Sequence, residues 1–388
     1  MSNTFIDEII RCIVSKPKQR ITFAEYMNMV LYHPQYGYYS QEAINIGKKG
    51  DFFTSVHLGA DFGEMLAIQF VQMWYILGQP VPFMLVEIGA GQGYLAADIL
   101  NYLQKHHNDL FSVLEYTIIE KSLLLKQVQQ HKLQGFSVNW CDLKEIKINS
   151  IVGCIFSNEL IDAFPVHQFV WKSGHLKEVF VGVSESVKKD IYDTFVEIID
   201  EPSTPELSHY FDLINIDISI YPDGYRSEIN LAALNWLIQV ADKLQCGYVI
   251  TIDYGYPAHR YYNPRRSQGT LQCYYQHRRH DNPYMFVGKQ DITTHVNFTA
   301  LERWGEKHGL VRVGFTQQSL FLMALGLGER IAALSTSELS VSDMLRRRDS
   351  LHQLLDPMGL GDFGVLVQSK GLTSTQATQP LKGLTMPF

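Results

Sequence analysis

Six carboxylates fall at or just beyond the ends of short apolar runs: Glu87, Glu120, Asp142, Glu159, Asp162 and Asp253. Ionised carboxylates accept hydrogen bonds from hydroxyls, pair with cationic nitrogens and take up protons. The first acid leads into Gly89-Ala90-Gly91-Gln92-Gly93. Glycine lets a chain turn sharply and lets a ligand approach without a Cβ in the way. A dinucleotide fingerprint requires Gly-x-Gly-x-x-Gly. Here the position five beyond Gly89 is Tyr94, and the third glycine comes one residue early, at Gly93. The run therefore reads as a ligand-binding turn of another class, and its alternative is a plain tight turn.

Each acid has a chemical and a structural reading. Glu87 can order the glycine turn or bind beside it. Glu120 can accept from both hydroxyls of a ribose, or cap the next helix. Asp142, with Leu143 beside it, can accept from an adenine amino group, and capping is the competing role. Asn158, Glu159 and Asp162 stand in Ser157-Asn158-Glu159-Leu160-Ile161-Asp162-Ala163-Phe164-Pro165. The two acids, three apart, can share a helical face and pair with a cationic nitrogen; alternatively they sit at a helix N-terminus, where acids are favoured. Tyr225 to Asn230 reads as a helix start that offers Glu228 to an acceptor pocket, and Asp253-Tyr254 closes a further strand. Glu159 and Asp162 are the leading catalytic candidates, with Glu228 and Asp253 behind them.

These residues need a scaffold that brings strand ends together. Strands are predicted at Phe83–Ile88, Tyr116–Glu120, Phe136–Trp140, Gly153–Ser157 and Gly247–Tyr254, with helical segments between several of them. Strand–helix alternation indicates an α/β fold with a parallel sheet. Amphipathic helices are expected over about 4–15 and 22–32, and a long one over Leu58–Leu77. Gln168–Trp171 and Glu178–Val183 read as a hairpin, with another strand at Thr194–Ile199. Glu228–Leu244 reads as a helix, and residues 256–290 as a long functional loop. Leu310–Gln317 and Phe363–Gln368 supply two late strands. The expected organisation is 1–79 as a helical cap with a lid segment, 80–370 as a core with insertions at about 166–225 and 256–298, and 371–388 as a flexible tail.

Composition narrows the classes. The chain has 388 residues, 19% charged, with a formal net charge of −7, which offers no general attraction to nucleic acid. No apolar run is long enough for a membrane span. The five cysteines form no C-x-x-C pair, and no histidine spacing indicates a metal. The first 20 residues mix acids and bases and match neither a signal nor a transit peptide, so the expected location is cytoplasmic.

Several motifs in order carry a resemblance. They are Tyr32-His33-Pro34-x-x-Gly37-Tyr38-Tyr39, Gly50-Asp51-Phe52-Phe53-Thr54-Ser55, Phe62-Gly63-Glu64, Glu87-x-Gly89-x-Gly91-x-Gly93, Asn158-Glu159-x-x-Asp162-Ala163-x-Pro165-Val166, Asp253-Tyr254-Gly255, Gly269-Thr270-Leu271 and Gln290-Asp291-Ile292-Thr293-x-His295-Val296. Together, from about Ile21 to Gly364, they resemble the MidA-type S-adenosylmethionine (SAM)-dependent methyltransferases. The resemblance implies a class I, Rossmann-like methyltransferase sheet with an N-terminal helical cap and an inserted β-hairpin and loop subdomain. It implies SAM as cofactor, held by Glu87, Gly89, Gly91, Gly93, Glu120, Asp142, Leu143 and Asn158, with Asp51, Phe53, Thr54 and Ser55 closing over it. The expected activity is N-methylation of a protein, with arginine as the acceptor and a respiratory-complex subunit as the partner. A homodimer through the hairpin is a further expectation, and a SAM-binding assembly factor with little catalysis is the alternative function. Three family acids are replaced: His57, Asn282 and Asn297 stand where relatives usually carry Glu or Asp.

Overall fold

The computed structural model describes residues 2–40, 55–184, 194–276, 278–336 and 340–386. Seven strands form the main sheet: β1 (Phe83–Ile88), β2 (Leu114–Ile119), β3 (Val138–Cys141), β4 (Ile151–Asn158), β5 (Leu244–Asp253), β6 (Val311–Gln317) and β7 (Gly364–Lys370). Their spatial order is β6-β7-β5-β4-β1-β2-β3. The five strands β1 to β5 run parallel, and β7 lies antiparallel between β5 and β6. Chain order reverses between β1 and β4, which is where a doubly wound sheet opens a crevice beyond its carboxyl ends.

Alternation of side chains explains why both faces are covered. Phe83 and Leu85 of β1 belong to one buried cluster with helices Asp61–Ile76 and Tyr94–His106. Val86 and Ile88 point to the opposite cluster, filled by helices Leu231–Lys243 and Phe298–Lys307. A strand buried on both sides reads as a continuous apolar run, and β1, β4 and β5 do so. The register is what positions the site. Ile88 lies beside both Ile119 and Ser157, Ile119 beside Cys141, and Asn158 beside Ile252. The residues after these strands therefore emerge in one row.

A second sheet of five strands contains Arg20–Thr22, His167–Lys172, His175–Val183, Phe195–Asp200 and Arg226–Ile229. Helices Ser2–Ser15 and Phe23–Tyr32 pack against it through Phe5, Ile9, Ile13, Tyr26 and Val30, which meet Val166, Val181 and Phe195. Thr22 caps the second helix in a reciprocal pair with Glu25. The helical cap is thus fastened to the inserted hairpin.

Three expectations are corrected. Glu228 is not at a helix start: Arg226–Ile229 is a strand paired with His167–Val170, and the helix begins beyond Asn230, whose side chain caps the Ala233 N–H at 2.8 Å. Residues 256–290 are not one loop, because Gln272–Tyr275 pairs with both Arg278–His280 and Asp291–Thr293. The tail is anchored near its end, although its Thr- and Gln-rich stretch is exposed or half-buried. Leu381 is 1% exposed, and the N–H groups of Lys382 and Gly383 donate to Gln72 and Gln69 at 2.7 and 2.9 Å. One buried leucine anchors a segment whose composition reads as flexible.

Urea denaturation tests this packing. Leu381→Ala is expected to lower stability by about 2–4 kcal/mol, the usual cost of emptying a buried leucine site, whereas a loose tail would leave the midpoint unmoved.

Candidate active site

The carboxyl edge of the sheet opens into a cavity of about 410 Å³, within the usual range for a small-molecule site. One wall is the turn after β1. Gly89, Gly91 and Gly93 adopt φ of +76°, +53° and +78°, conformations costly for other residues. A Cβ on Gly89 would also meet Leu160 Cδ1 at 2.8 Å. Gly89 and Gly91 line the cavity, while Gly93 lies at the start of helix Tyr94–His106. Backbone N–H groups at such a helix start favour an anion.

The acids from β1 and β2 are fixed by named donors. Tyr116 hydroxyl donates to Glu87 Oε2 at 2.6 Å. Glu120 accepts from the Ser122 N–H at 2.8 Å and from Gln129 Nε2 at 3.1 Å. Gln129 Nε2 also donates to the Gly91 carbonyl at 2.8 Å, and Gln129 Oε1 accepts from Trp140 at 3.0 Å. This fully buried side chain ties the glycine turn to the second acid. Sequence reasoning missed it, although Leu125, Gln129 and Leu133 form a buried stripe at helical spacing, and a polar residue within such a stripe was the available signal.

Beyond β4 the chain turns through Glu159, which sits at φ +51°. Asp253 Oδ2 accepts from the N–H groups of Leu160, Ile161 and Asp162 at 3.2, 2.9 and 3.2 Å. Asn158, Glu159, Asp162 and Ala163 line the cavity; Asp253 does not. Asp253 is therefore a positioning residue that shapes the turn. Asn158 Oδ1 and Asp162 Oδ1 are buried without a hydrogen-bond partner among the described residues. Unpaired buried acceptors are costly, and a bound donor would satisfy them.

Other placements differ from expectation. Glu228 does not line the cavity; its carboxylate accepts from the Thr270 N–H at 2.9 Å and the Thr270 hydroxyl at 3.0 Å. It fastens the Gly269-Thr270-Leu271 turn. Asp142 and Leu143 are also absent from the described wall: Asp142 N–H donates to Glu145 at 2.7 Å, and Leu143 packs on the core. Ser55 is buried, accepts from Gln318 at 3.2 Å and donates its N–H to Glu159. Asp51, Phe53 and Thr54 lie outside the described residues.

The far wall contains residues not singled out for a role. Tyr32 and Tyr39 stack at 5.4 Å, Tyr39 hydroxyl donates to Asp291 at 2.9 Å, and both rings, Asp291 and Tyr254 line the cavity. Of the three replaced acids, only His57 does so. Burial and nearby Lys132 hold its pKa below the ordinary value, so this imidazole is neutral at pH 7. Asn297 caps helix Phe298–Lys307, and Asn282 closes a turn by accepting from the Tyr284 N–H at 2.9 Å.

Five carboxyl groups thus face one cavity: Glu87, Glu120, Glu159, Asp162 and Asp291. Lys121 is the one lysine or arginine of the described wall. Burial pushes Glu87 up to about 7, opposed by the Tyr116 hydrogen bond and aided by Glu120. Burial and the neighbouring Asp162 push Glu159 up to about 8. Asp162 and Asp253 are likewise raised by burial, Asp253 also by its acidic neighbours. Such carboxyls favour a cation among them, or a proton in its absence.

Comparison with known proteins agrees with this geometry. A model of an S-adenosyl-L-methionine-dependent methyltransferase family, Methyltransf_28, matches residues 65–316. The chain is 28% identical over 88% of its length to the Drosophila melanogaster protein arginine methyltransferase NDUFAF7 homolog, mitochondrial, covering 79% of that protein. The Homo sapiens protein arginine methyltransferase NDUFAF7, mitochondrial, is 26% identical over 88% of this chain and 78% of its own. A Burkholderia thailandensis crystal structure bound to S-adenosyl-homocysteine superposes with a TM-score of 0.84 at 29% identity, over 98% of this chain and 94% of that one. The cytoplasmic expectation is overturned, since the fly, mouse and human relatives are named mitochondrial. It rested on the mixed charges of the first 20 residues, many of which belong to helix Ser2–Ser15, packed through Phe5, Ile9 and Ile13.

The wall fits S-adenosyl-L-methionine. Unpaired Asp162 Oδ1 and Asn158 Oδ1 can receive cationic or N–H groups, Glu120 can accept from a ribose, and the helix start can receive a carboxylate.

Two measurements check the site. Gln129→Leu removes the tie between Gly91 and Glu120, and calorimetry is expected to show roughly tenfold weaker S-adenosyl-L-methionine binding, about 1.4 kcal/mol of lost hydrogen bonding; unchanged affinity would rule the tie out. The second concerns pH. The folded protein holds the Glu159 proton up to about pH 8, whereas the unfolded chain releases it near the ordinary 4.5. The native state then binds more protons between these values, so this group's contribution to stability falls as pH rises from about 5 to 8. Glu159→Gln should flatten that fall in denaturation midpoints, each factor of ten in proton affinity being worth roughly 1.4 kcal/mol.

Proposed function

This chain belongs to the S-adenosyl-L-methionine-dependent methyltransferase family, and from that footing we propose that it methylates arginine side chains of a protein. The observation that carries the arginine reading is the excess of acids at the cavity, five carboxyl groups against one lysine on the described wall. The relatives named protein arginine methyltransferases support the same acceptor. The family resemblance favours a respiratory-complex subunit as the protein substrate. When bound, S-adenosyl-L-methionine supplies a methyl group on a cationic sulfur.

The chain's own residues then have separable tasks. Glu120 and Glu87, with the glycine turn between their strands, hold the cofactor. Glu159 and Asp162 face the cavity from the turn after β4 and grip the planar guanidinium, a geometry suited to paired carboxylates. Holding the acceptor nitrogen in line supplies much of the rate. Asp253 keeps that turn in place through its three backbone hydrogen bonds. The nitrogen must lose a proton, and Glu159, raised to about 8, can keep one at its carboxyl when the guanidinium gives it up. Tyr32 and Tyr39 close the far side and exclude water from the pair.

Incubating the protein with methyl-labelled S-adenosyl-L-methionine and a mitochondrial extract, followed by hydrolysis to amino acids, tests this assignment. Label is expected in methylarginine, and Asp162→Asn should lower the rate on the order of 10²-fold. Label confined to lysine or histidine, or an Asp162→Asn rate equal to the parent's, would refute it.

A further inference from the structure

The acidic cavity borders a basic surface that the methyl-transfer chemistry does not use. Residues 256–290 carry Arg260, Arg265, Arg266, Arg278, Arg279 and Lys289 against the single acid Asp281, in a chain whose net charge is −7. Among the described residues, Arg260, Arg265, Arg278 and Arg279 form no ion pair.

Pairing in the three-stranded sheet places this charge beside the acceptor end of the cavity. Tyr274 lies opposite Arg279 on one side and opposite Asp291 on the other. Directly opposed residues share a face, and neighbouring strands lie about 4.8 Å apart. Arg279 is therefore on the same face as Asp291, roughly 10 Å away by that spacing. The other face carries Cys273 and Ile292, which are buried against the N-terminal helices. Arg266 approaches from the neighbouring loop. Arg266 and Arg279 both act electrostatically on His295, whose ring packs against Tyr254 of the cavity wall.

These guanidinium groups are held without acids. Arg260 and Arg266 lie 4.8 and 4.6 Å from the centre of the Tyr256 ring, and Arg266 also donates to the carbonyls of Arg260 and Tyr261. Tyr256 is itself stacked on His295 at 5.0 Å. Ring and carbonyl contacts fix Arg260 and Arg266, and neither they nor Arg279 form an ion pair among the described residues. Such a surface steers and orients an anionic partner.

We infer that Arg260, Arg266 and Arg279 form a docking site for an acidic stretch of the substrate polypeptide, flanking the residue that enters the cavity. The site selects an acceptor within an acidic context, so specificity comes from the surroundings of the acceptor as well as from its guanidinium. This inference rests on a polypeptide substrate, but its test does not require turnover.

The probes are fluorescein-labelled 15-residue peptides with a central arginine flanked by glutamate, glutamine or lysine, read by anisotropy with the cofactor product present. The glutamate peptide is expected to bind about tenfold more tightly than the glutamine peptide at low salt and to lose that advantage as salt is raised. Arg260→Glu combined with Arg279→Glu should reverse the order in favour of the lysine peptide, with thermal midpoint and S-adenosyl-L-methionine affinity confirming the fold. Equal binding of all three peptides, or an unchanged order in the double variant, would overturn the docking site. Acid-selective, Arg279-dependent binding without any methylation of the arginine would uphold the docking site and count against arginine as the acceptor.

Discussion

The buried carboxylate of Asp253 holds the site in its working shape. It accepts three consecutive backbone N–H groups from Leu160 to Asp162, each worth roughly 0.5–1.5 kcal/mol net. This clamp offsets the cost of placing Glu159 in a left-handed conformation, a few kcal/mol at most for such strain. It joins the end of β5 to the turn after β4, across the register that sets Asn158 beside Ile252. Without it the two acids facing the cavity would have no fixed spacing. The residue closest in type to a catalytic acid is thus the one that makes the neighbouring acids usable.

The remaining carboxyl groups gain meaning from that arrangement. Burial raises Glu87, Glu120, Glu159 and Asp162, so these acids hold protons more firmly than they would in water. A cation entering among them trades those protons for charge pairing. A single lysine on the described wall leaves this demand unmet from within. The neutral Asn282 and Asn297 do not alter the balance, since they serve a turn and a helix cap. His57 reaches the wall, but as a neutral ring.

Much of this was legible in the sequence, for physical reasons. β1, β4 and β5 are covered on both faces and therefore read as unbroken apolar runs, and glycines at alternate positions mark a turn open to a ligand. Glu159 and Asp162 could be placed because they follow β4, and Glu120 because it follows the apolar end of β2. Glu228 was misread because a short strand, Arg226–Ile229, precedes the helix with no intervening break in composition. Asp142 and Leu143 follow the end of β3 but stand outside the described wall, because a strand end predicts proximity to the edge and not a place in the cavity lining. Gln129 and Leu381 depend on contacts across more than 30 residues, which local patterns do not encode. The tail shows the same limit, since a polar composition conceals one leucine that is fully packed.

The central claim is that Glu159 is protonated in the free cavity at neutral pH and yields its proton when a cation binds. Infrared difference spectroscopy on adding an arginine-containing peptide to the protein with S-adenosyl-homocysteine bound, at pH 7, reads this directly. The account predicts loss of a protonated-carboxyl band with gain of a carboxylate band, and disappearance of that pair of signals in Glu159→Gln. A difference spectrum without a carboxyl change, or one unaltered by Glu159→Gln, would contradict it.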